Sequence, residues 1–451
     1  MVNGTVTVKP GNVTGHVGPR FVGFSYEKTH LTNGSFSGSN AAMIALYKLI
    51  GPVMIRIGAN DVERCTWMAS QPIKPGGQPF GFTIGSAMVD ALSDFLNATG
   101  AHQIYGLNYT FNNPPNDAEE ASYVFPKLGS NLVGFEIGNE LDKYGSWASD
   151  KAQWEGLATA VVNAVPGATL AGMAATQGGA ASANVPFAQD ESAKFGSKLV
   201  LLTQHYYLGA SGTTTSTVTA LQTVKSDIPS IAQTMNGAAT GNNIPQGYRF
   251  GEANTFYNHG QPGVSDALIA GLWAIDFMFT IAQNGASGVN FHGGETGQDG
   301  TKPFSYTPIV EVNGVVQGTQ PIYDAMLFFY LAGQGDLLST SVSTSNPNFT
   351  AYALDYTADG STSVVLDNKN ATTGVQVTVD LGAPVTSASA IYLQGSPAGL
   401  LTAPASTVTL AGAGVTAQGT WARNPPYTQT TSGNTVSVFV PPASAALVRV
   451  Q

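Results

Sequence analysis

The sequence predicts an α/β protein, a (β/α)8 TIM barrel followed by a C-terminal antiparallel β-sandwich domain. From about residue 14 to about residue 335, short apolar runs alternate with longer segments of helical period, which is typical of parallel βα units. Beyond that point the helical period disappears, and short strand-like runs are separated by Gly, Asn and Pro turns, which favours a sandwich. The length of 451 residues also favours two domains over one.

Eight apolar runs are candidate barrel strands. Eight βα units in roughly 320 residues fit a (β/α)8 barrel that carries loop insertions. The first helix between the runs keeps apolar side chains at i, i+3, i+4 and i+7, at Met43, Leu46, Tyr47 and Ile50. The predicted strands are residues 21–25, 53–57, 103–107, 132–137, 169–173, 199–203, 248–251 and 288–291.

The predicted sandwich follows a helix over Pro321–Ala332 and occupies residues 336–451. Residues 5–9 also read as a strand, and no helix follows them, so residues 1–13 could add a strand to the sandwich and leave 14–335 to the barrel. The candidate strands of the sandwich itself are residues 350–356, 363–367, 374–380, 389–393, 406–410 and 435–440.

The composition excludes several classes of protein. Gly and Pro contribute 53 and 25 residues, but the hydrophobic share of 43% excludes a disordered or collagen-like chain. The 18 basic and 28 acidic residues leave a net charge of −10, which has the wrong sign for a nucleic-acid partner. No run of 18 or more apolar residues occurs, so the sequence predicts no membrane span.

The cysteine content and the charge balance bear on the compartment and on cofactors. The single Cys65 cannot form an internal disulfide, and no Cys/His cluster predicts a metal site, so we expect no metal and no cofactor. The low Lys content, the high Ser/Thr/Gly content and the acidic charge balance favour an exported protein, secreted or periplasmic, from which a signal peptide has been removed. We expect the protein to be a monomer.

The polar residues at the predicted strand ends are mainly carboxylates and amides. Catalytic side chains of (β/α)8 barrels lie where the strands end and the following loops begin. Hydrolysis of a glycosidic bond needs two carboxyl groups there, one acid with a raised pKa and one ionised nucleophile. Glu140 and Glu252 fit this requirement, because they end predicted strands four and seven. Asn139, directly before Glu140, could hydrogen-bond the 2-hydroxyl group of the sugar.

Three segments resemble glycoside hydrolase family 79, the β-glucuronidase and heparanase family, within a clan of retaining (β/α)8-barrel glycosidases. Residues 135–140, Phe-Glu-Ile-Gly-Asn-Glu, resemble the family's acid/base segment. Residues 251–252, followed five residues later by Tyr257, resemble its nucleophile segment and uronate-binding loop, and residues 205–208 are similar to a strand-six segment. The resemblance covers the whole chain, with Leu141 where family members often carry Pro.

The resemblance also implies roles for single residues. Glu140 would be the general acid/base, Glu252 the nucleophile, and Tyr206 the donor of a hydrogen bond that keeps Glu252 ionised. Further residues would bind the hydroxyl groups of the glycone or, through backbone amides and polar side chains, the uronate carboxylate. Glu27, Asn60 and Asn139 would bind the hydroxyl groups, and the substrate-binding residues on the carboxylate side are Tyr257, Asn258, His259, Gly260, Lys302 and Tyr306.

Other polar residues near these positions have structural interpretations. We expect Glu136 to form a structural ion pair with Arg56, because it lies deeper in the strand than Glu140. His205 alternates away from Tyr206 and is interpreted as a hydrogen-bonded structural histidine. Glu295, after predicted strand eight, is a competing candidate for the nucleophile.

The leading hypothesis is a retaining exo-β-glucuronidase that acts on terminal glucuronic acid of a saccharide or glycoside by double displacement. An endo-acting, heparanase-like enzyme is the nearest alternative, although only 18 basic residues are available for sulfated chains. A β-xylosidase or β-glucosidase of the same clan would need no site for the carboxylate. A non-catalytic carbohydrate-binding protein is the alternative from another class, and the presence of both Glu140 and Glu252 argues against it.

Overall fold

The computed structural model describes residues 1–68, 81–294 and 303–451. Their first thirteen strands are β1 Val2–Val17, β2 Val22–Glu27, β3 Met54–Gly58, β4 Cys65–Met68, β5 Phe82–Gly85, β6 His102–Leu107, β7 Leu132–Ile137, β8 Leu170–Ala175, β9 Leu199–Ala210, β10 Tyr248–Tyr257, β11 Val289–His292, β12 Ile309–Val312 and β13 Val315–Thr319. The helices of these residues are α1 Ala41–Ile50, α2 Ser86–Thr99, α3 Pro114–Leu128, α4 Trp147–Ala164, α5 Val185–Phe195, α6 Val218–Leu221, α7 Asp227–Gly241, α8 Leu268–Gln283 and α9 Pro321–Ala332. None of the helices of the described part is long and apolar enough to cross a membrane.

Eight parallel strands form a closed barrel, as the sequence predicts. The order around the barrel is β2, β3, β6, β7, β8, β9, β10 and β11, and β11 pairs with β2 to close it. Nearly every residue of these strands is buried, because the inner face fills the barrel and the outer face packs on helices. A two-stranded parallel sheet of β4 with β5 and a hairpin of β12 with β13 lie in the connections.

The helices begin and end where the sequence supplies capping residues. The side chain of Asn40 accepts from the backbone N–H of Met43 at the start of α1, and Asn113 caps α3 in the same way ahead of Pro114. Gly51 ends α1 with a φ of 85°, and a Cβ there would lie 2.5 Å from the Tyr330 ring. Glycine at this position therefore satisfies both the backbone angle and the close approach.

Two barrel strands are longer than predicted. The sequence predicts ends at residues 203 and 251, whereas β9 continues to Ala210 and β10 to Tyr257. The extensions pair with each other, as far as Ala210 opposite Tyr257, so each supplies the hydrogen-bond partners of the other. An irregularity between Phe250 and Glu252 interrupts their register just where the predicted nucleophile lies.

The last ten strands join β1 in one eleven-stranded sheet that encloses a core of its own. The sheet order is β19, β18, β23, β16, β15, β14, β1, β17, β22 and β21, with β20 beside β18. Valines of β1, β17 and β22 pack in this core against apolar residues of β15, β16 and β23. The strands are β14 Gly335–Thr344, β15 Phe349–Tyr356, β16 Ser361–Asn368, β17 Val375–Asp380, β18 Ala388–Gly395, β19 Val408–Leu410, β20 Tyr427–Thr428, β21 Thr430–Ser432, β22 Thr435–Val440 and β23 Ser444–Val450.

The sandwich is close to the prediction, but its N-terminal strand is longer and its strands β14, β20, β21 and β23 are not predicted. The predicted N-terminal strand is present and longer, since β1 runs antiparallel to β14 and parallel to β17. The prediction lacks β14 and β23, although β23 lies between β16 and β18 in the middle of the sheet. The Ala-rich segment of β23 and the Ser/Thr-rich segment of β14 have little of the alternation between apolar and polar residues that identifies a strand.

Helices α8 and α9 lie between the barrel and the sheet. Both helices are buried almost all round, which explains why their sequences are apolar on every face. Helix α8 contacts β16, and α9 contacts β16, β18 and β19. The sheet therefore covers apolar helix surfaces of the barrel that would otherwise face water.

A buried cluster of charges connects α8 to the sheet. The Lys369 ammonium, 1% exposed, forms ion pairs with Asp276 on α8 and, at 3.0 Å, with Asp367 on β16. Asp276 also accepts hydrogen bonds from the hydroxyl groups of Thr350 and Tyr352. Charges removed from water are tolerated only when they are paired and hydrogen-bonded, as these are.

We predict that Lys369→Met lowers the free energy of unfolding by about 3–5 kcal/mol, because it leaves two buried carboxylates without their cation. Urea denaturation followed by circular dichroism measures the change. Lys127→Met is the control, since the Lys127 ion pair with Asp90 is exposed and exposed pairs contribute little. Equal losses in the two variants would contradict the prediction.

Candidate active site

A cavity of about 430 Å³ opens at the carboxyl ends of the barrel strands. This volume is within the range of small-molecule sites, about 300–1,000 Å³. The residues that line it come from seven of the eight strand ends or the loops that follow them. They are Glu27, Asn60, Glu140, Lys143, Thr176, Gln177, His205, Tyr207, Glu252, Tyr257, Asn258, His259, His292, Phe304 and Tyr306.

A buried arginine lies at the floor of the cavity. Arg56 on β3 donates from Nε to Glu136 Oε2 at 2.5 Å, from Nη1 to Glu252 Oε2 at 2.8 Å and from Nη2 to Asn139 Oδ1 at 2.8 Å. Glu136 also accepts from the Thr203 hydroxyl at 2.6 Å. The predicted ion pair of Glu136 with Arg56 is confirmed, and the same guanidinium reaches Glu252.

Glu252 is surrounded by groups that favour its ionised form. Tyr207 Oη donates to its Oε1 at 2.7 Å, and Arg56 pairs with its Oε2. The nearest nitrogens of His205 and His292 each lie 3.9 Å from Oε2. Burial alone would raise the pKa of Glu252, but the charges of His292, His205 and Arg56 and the Tyr207 hydrogen bond outweigh it, so the pKa falls well below its usual value.

Glu140 and Glu252 both lie next to Nδ1 of His205. Glu140 is the nearer of the two. It has a φ of 51°, in the left-handed region, and its backbone N–H donates to the Ala174 carbonyl at 2.9 Å. Its Oε1 lies 3.1 Å from His205 Nδ1, and its Oε2 pairs with the Lys143 ammonium. Burial and the charge of Glu252 raise the pKa of Glu140, whereas His205 and Lys143 lower it, and the net direction is downward.

The prediction for Tyr206 is wrong. Side chains alternate along β9, so His205 and Tyr207 point into the barrel and Tyr206 points outward, where it stacks on Phe277 of α8. The Tyr206 hydroxyl donates to Asp227 at 2.9 Å, and the hydrogen bond to Glu252 comes from Tyr207. His205 is correspondingly a cavity residue and not only a structural one.

The three residues predicted to bind hydroxyl groups lie together. Glu27 and Asn60 line the cavity, and Asn139 lies behind Asn60, to which its Nδ2 donates at 3.3 Å. Glu63, which is not among the predicted site residues, accepts from the backbone N–H of Asn139 at 2.8 Å and so positions the turn before Glu140. Burial raises the pKa of Glu27 well above its usual value, and the charges of Asp61 and Glu252 add to the effect.

The loop after β10 forms the opposite wall. Tyr257, Asn258 and His259 line the cavity, whereas Gly260 lies behind them, where a Cβ would come within 2.8 Å of the Tyr306 backbone nitrogen. The His259 ring stacks on Phe304 with centroids 4.5 Å apart, and the buried Tyr306 lines the cavity beside this loop. The predictions for Lys302 and Glu295 fall outside the described residues.

Several cavity residues were not predicted as site residues. His205, Tyr207 and His292 could have been found by counting alternate residues back from the strand ends. Lys143, Thr176, Gln177 and Phe304 lie on loops, whose course the pattern of apolar residues does not determine. Within the described ranges no group of three or more His, Cys, Asp or Glu side chains is arranged to hold a metal ion.

Comparisons with known proteins support the fold. No family model matches the chain. A segment of 164 residues is 29% identical to a β-glucuronidase of Aspergillus niger, covering 34% of this chain and 29% of that protein, so the chain matches less than a third of that relative's length. Among solved structures, a 4-O-α-L-rhamnosyl-β-D-glucuronidase from Fusarium oxysporum has a TM-score of 0.78 at 20% identity, over 98% of this chain and 99% of that one.

Two further structures extend the comparison. An arabinofuranosidase of glycoside hydrolase family 51 from Xanthomonas axonopodis has a TM-score of 0.67 at 16% identity over the full length of both chains. A monomeric β-xylosidase from Caulobacter crescentus has a TM-score of 0.63 at 14% identity over 99% of each chain. At these identities the likeness concerns the fold, and the chain has the barrel-plus-sheet fold of these enzymes.

We predict that Glu27→Gln stabilises the protein increasingly as the pH rises. Because the pKa of Glu27 is raised in the folded state, the wild-type carboxyl stays protonated there while it ionises in the unfolded chain, which lowers stability above about pH 4.5. Glutamine does not titrate. The melting temperatures of variant and wild type should therefore be similar at pH 4 and should diverge towards pH 9. The exposed Glu119→Gln is the control, and a difference that does not change with pH would contradict the prediction.

Proposed function

We propose that this protein is a retaining exo-β-glucuronidase that removes terminal β-linked glucuronic acid. The observation that carries the proposal is the convergence of Glu140 and Glu252 on one atom, since His205 Nδ1 lies 3.1 Å from the first carboxylate and 3.9 Å from the second. The nearest oxygens of the two groups are thus no more than about 7 Å apart, which accommodates the separation of about 5–5.5 Å that retaining glycosidases use.

The charges of the two carboxyl groups support a division of roles. Glu252 is held ionised by Arg56, the histidines and Tyr207, as a nucleophile requires. The negative charge of Glu252 raises the pKa of Glu140, but His205 and Lys143 outweigh it in the free protein, so the acid form requires that substrate binding weaken those two contacts. Once Glu252 is esterified, that charge is gone and the pKa of Glu140 falls, which favours its action as a base.

The reaction then proceeds in two displacements. In the first, Glu252 attacks the anomeric carbon while Glu140 gives its proton to the departing oxygen, so the glycosidic bond breaks as the ester forms. In the second, Glu140 takes a proton from a water molecule, and the oxygen of that water displaces Glu252 from the anomeric carbon. Asn139, oriented by Arg56 and Asn60 directly before the acid/base, is the proposed partner of the 2-hydroxyl group.

The preference for a uronate rests on the opposite wall of the cavity. The amides of Asn258 and His259 and the hydroxyl of Tyr306 are grouped there, and such donors bind a carboxylate without a mobile cation. The glucuronidases among the similar proteins support this substrate class. The limited cavity volume favours exo over endo action.

We further propose that residues 14–335 form the catalytic domain, that residues 1–13 and 336–451 form a supporting domain, and that the protein is a secreted monomer.

We predict that the purified protein hydrolyses 4-nitrophenyl β-glucuronide with a higher kcat/KM than the corresponding glucoside or xyloside. Glu252→Ala should lower kcat by a factor on the order of 10³ or more. A 2-fluoro-glucuronyl fluoride should label the wild type once, at Glu252, as peptide mass spectrometry can detect. A Glu252→Ala variant with wild-type activity, or labelling of another carboxylate, would refute the proposed mechanism.

We predict that Tyr207→Phe lowers kcat about tenfold to a hundredfold and that Tyr206→Phe has a much smaller effect, because only the Tyr207 hydroxyl donates to Glu252. The two variants lose the same atom from neighbouring residues, so each controls for the other. Steady-state kinetics on the aryl glucuronide measures the difference. A larger loss in Tyr206→Phe would show that the assignment is wrong.

A further inference from the structure

One side of the cavity contains features that the proposed mechanism does not use. This side, the leaving-group surface, lies beside Glu140, where Lys143 and Gln177 line the cavity, and it continues outside the cavity with Tyr144 and Arg64. We propose that it selects leaving groups that carry an anionic substituent, such as the carboxylate or sulfate of a neighbouring sugar. The inference rests on the proposed function, because the group that protonates the departing oxygen must lie next to the leaving group.

Lys143 is the main element of the leaving-group surface. It ends a short 3₁₀ turn, Leu141–Lys143, that begins directly after Glu140, and its ammonium pairs with Glu140 Oε2. Its side chain is 56% exposed and lines the cavity. Among the described residues of the cavity lining, it is the only lysine or arginine. An anion on the leaving group would therefore meet a cation that is already held beside the general acid.

The residues next to Lys143 extend this surface away from the cavity. Tyr144 is 54% exposed and faces Tyr109, with ring centroids 6.4 Å apart and planes inclined by 27°. Arg64, whose side chain is 49% exposed, pairs with Asp61 at 3.6 Å, and its charge lowers the pKa of the Tyr144 hydroxyl, which burial and Glu63 raise to about 12. An exposed aromatic ring directly after Lys143 in the chain suits the apolar face of a sugar that carries a charged substituent.

The position of Gln177 is fixed from behind. Its Nε2 donates to Asp227 Oδ2 at 2.8 Å, and Asp227 Oδ1 accepts from the Tyr206 hydroxyl at 2.9 Å. This chain of hydrogen bonds gives Tyr206 a positioning role in place of the predicted contact with Glu252. Because the amide is held, Gln177 can bind a hydroxyl group of the leaving sugar with little loss of side-chain entropy.

Because the protein has a net negative charge, an anionic group is attracted only where it contacts the leaving-group surface directly. With 18 basic and 28 acidic residues, the chain repels anions at long range, so an acidic leaving group gains only from contacts within about a Debye length. When such a group takes the Lys143 ammonium, Glu140 loses one partner of its ionised form. Binding of the correct leaving group therefore favours the protonated acid that the first step consumes.

The test compares two aryl β-glucuronides that differ only in whether the leaving ring carries a carboxylate or its methyl ester. The measured quantity is the ratio of the two kcat/KM values. An effect of a substitution on Glu140 that is the same for both substrates cancels in this ratio. We expect the wild type to prefer the carboxylate, and we expect Lys143→Met to lower the ratio by about three- to tenfold, as for a partly exposed ion pair. Lys143→Arg should keep most of the ratio, and added salt should reduce it.

Lys198→Met is the matched control, because it removes the same charge directly before β9, at the opposite end of the barrel. It should leave the ratio unchanged. A wild type that cleaves both substrates without preferring the carboxylate, or a Lys143→Met variant with an unchanged ratio, would overturn the inference and leave the proposed function intact. Hydrolysis of neither substrate by the wild type would overturn both.

Discussion

The site depends on one buried cation. Arg56 lies inside the barrel with no exposed surface, and its three nitrogens bind Glu136, Glu252 and Asn139. A guanidinium presents its donors in a rigid planar fork, so the three partners are fixed relative to one another. Without this cation, two carboxylates would be buried at the centre of the fold without their ion-pair partner, at a cost of several kcal/mol. The same interaction thus holds the barrel interior together and keeps the proposed nucleophile ionised.

The cavity above Arg56 has two sides, one near Glu252 and one near Glu140, and the geometry of the parallel strands determines which residues lie on each. Because alternate residues point inward, β9 contributes His205 towards Glu140 and Tyr207 towards Glu252 from positions two residues apart. The side near Glu252 is closed by buried aromatic residues and histidines, whereas the side near Glu140 carries the exposed Lys143. We propose that the glycone binds on the side near Glu252 and that the leaving group binds on the side near Glu140. The two sides differ because different strand ends supply their residues.

The sequence predicts the barrel well because all eight strands are apolar runs bounded by polar residues. It does not predict how far a strand continues, since that depends on the partner strand, and this is why β9 and β10 are longer than expected. Predicting Tyr206 in place of Tyr207 is an error of one residue along the strand. Because alternate side chains point to opposite faces, this error moves the predicted side chain to the other face of the strand. Lys143 could not have been predicted to contact Glu140, because the turn between them is not visible in the pattern of apolar residues.

The sheet contributes to the site although none of its described residues lines the cavity. Helix α8 connects β10, which carries Glu252, to β11, which carries His292, and its other surface is held by the buried pair of Asp276 with Lys369. Strand β10 has an irregular register at Glu252, so its own ladder of hydrogen bonds is weakest there. A rigid helix anchored on the sheet compensates for that weakness, and the position of the nucleophile is therefore determined from outside the barrel as well as from Arg56 within it.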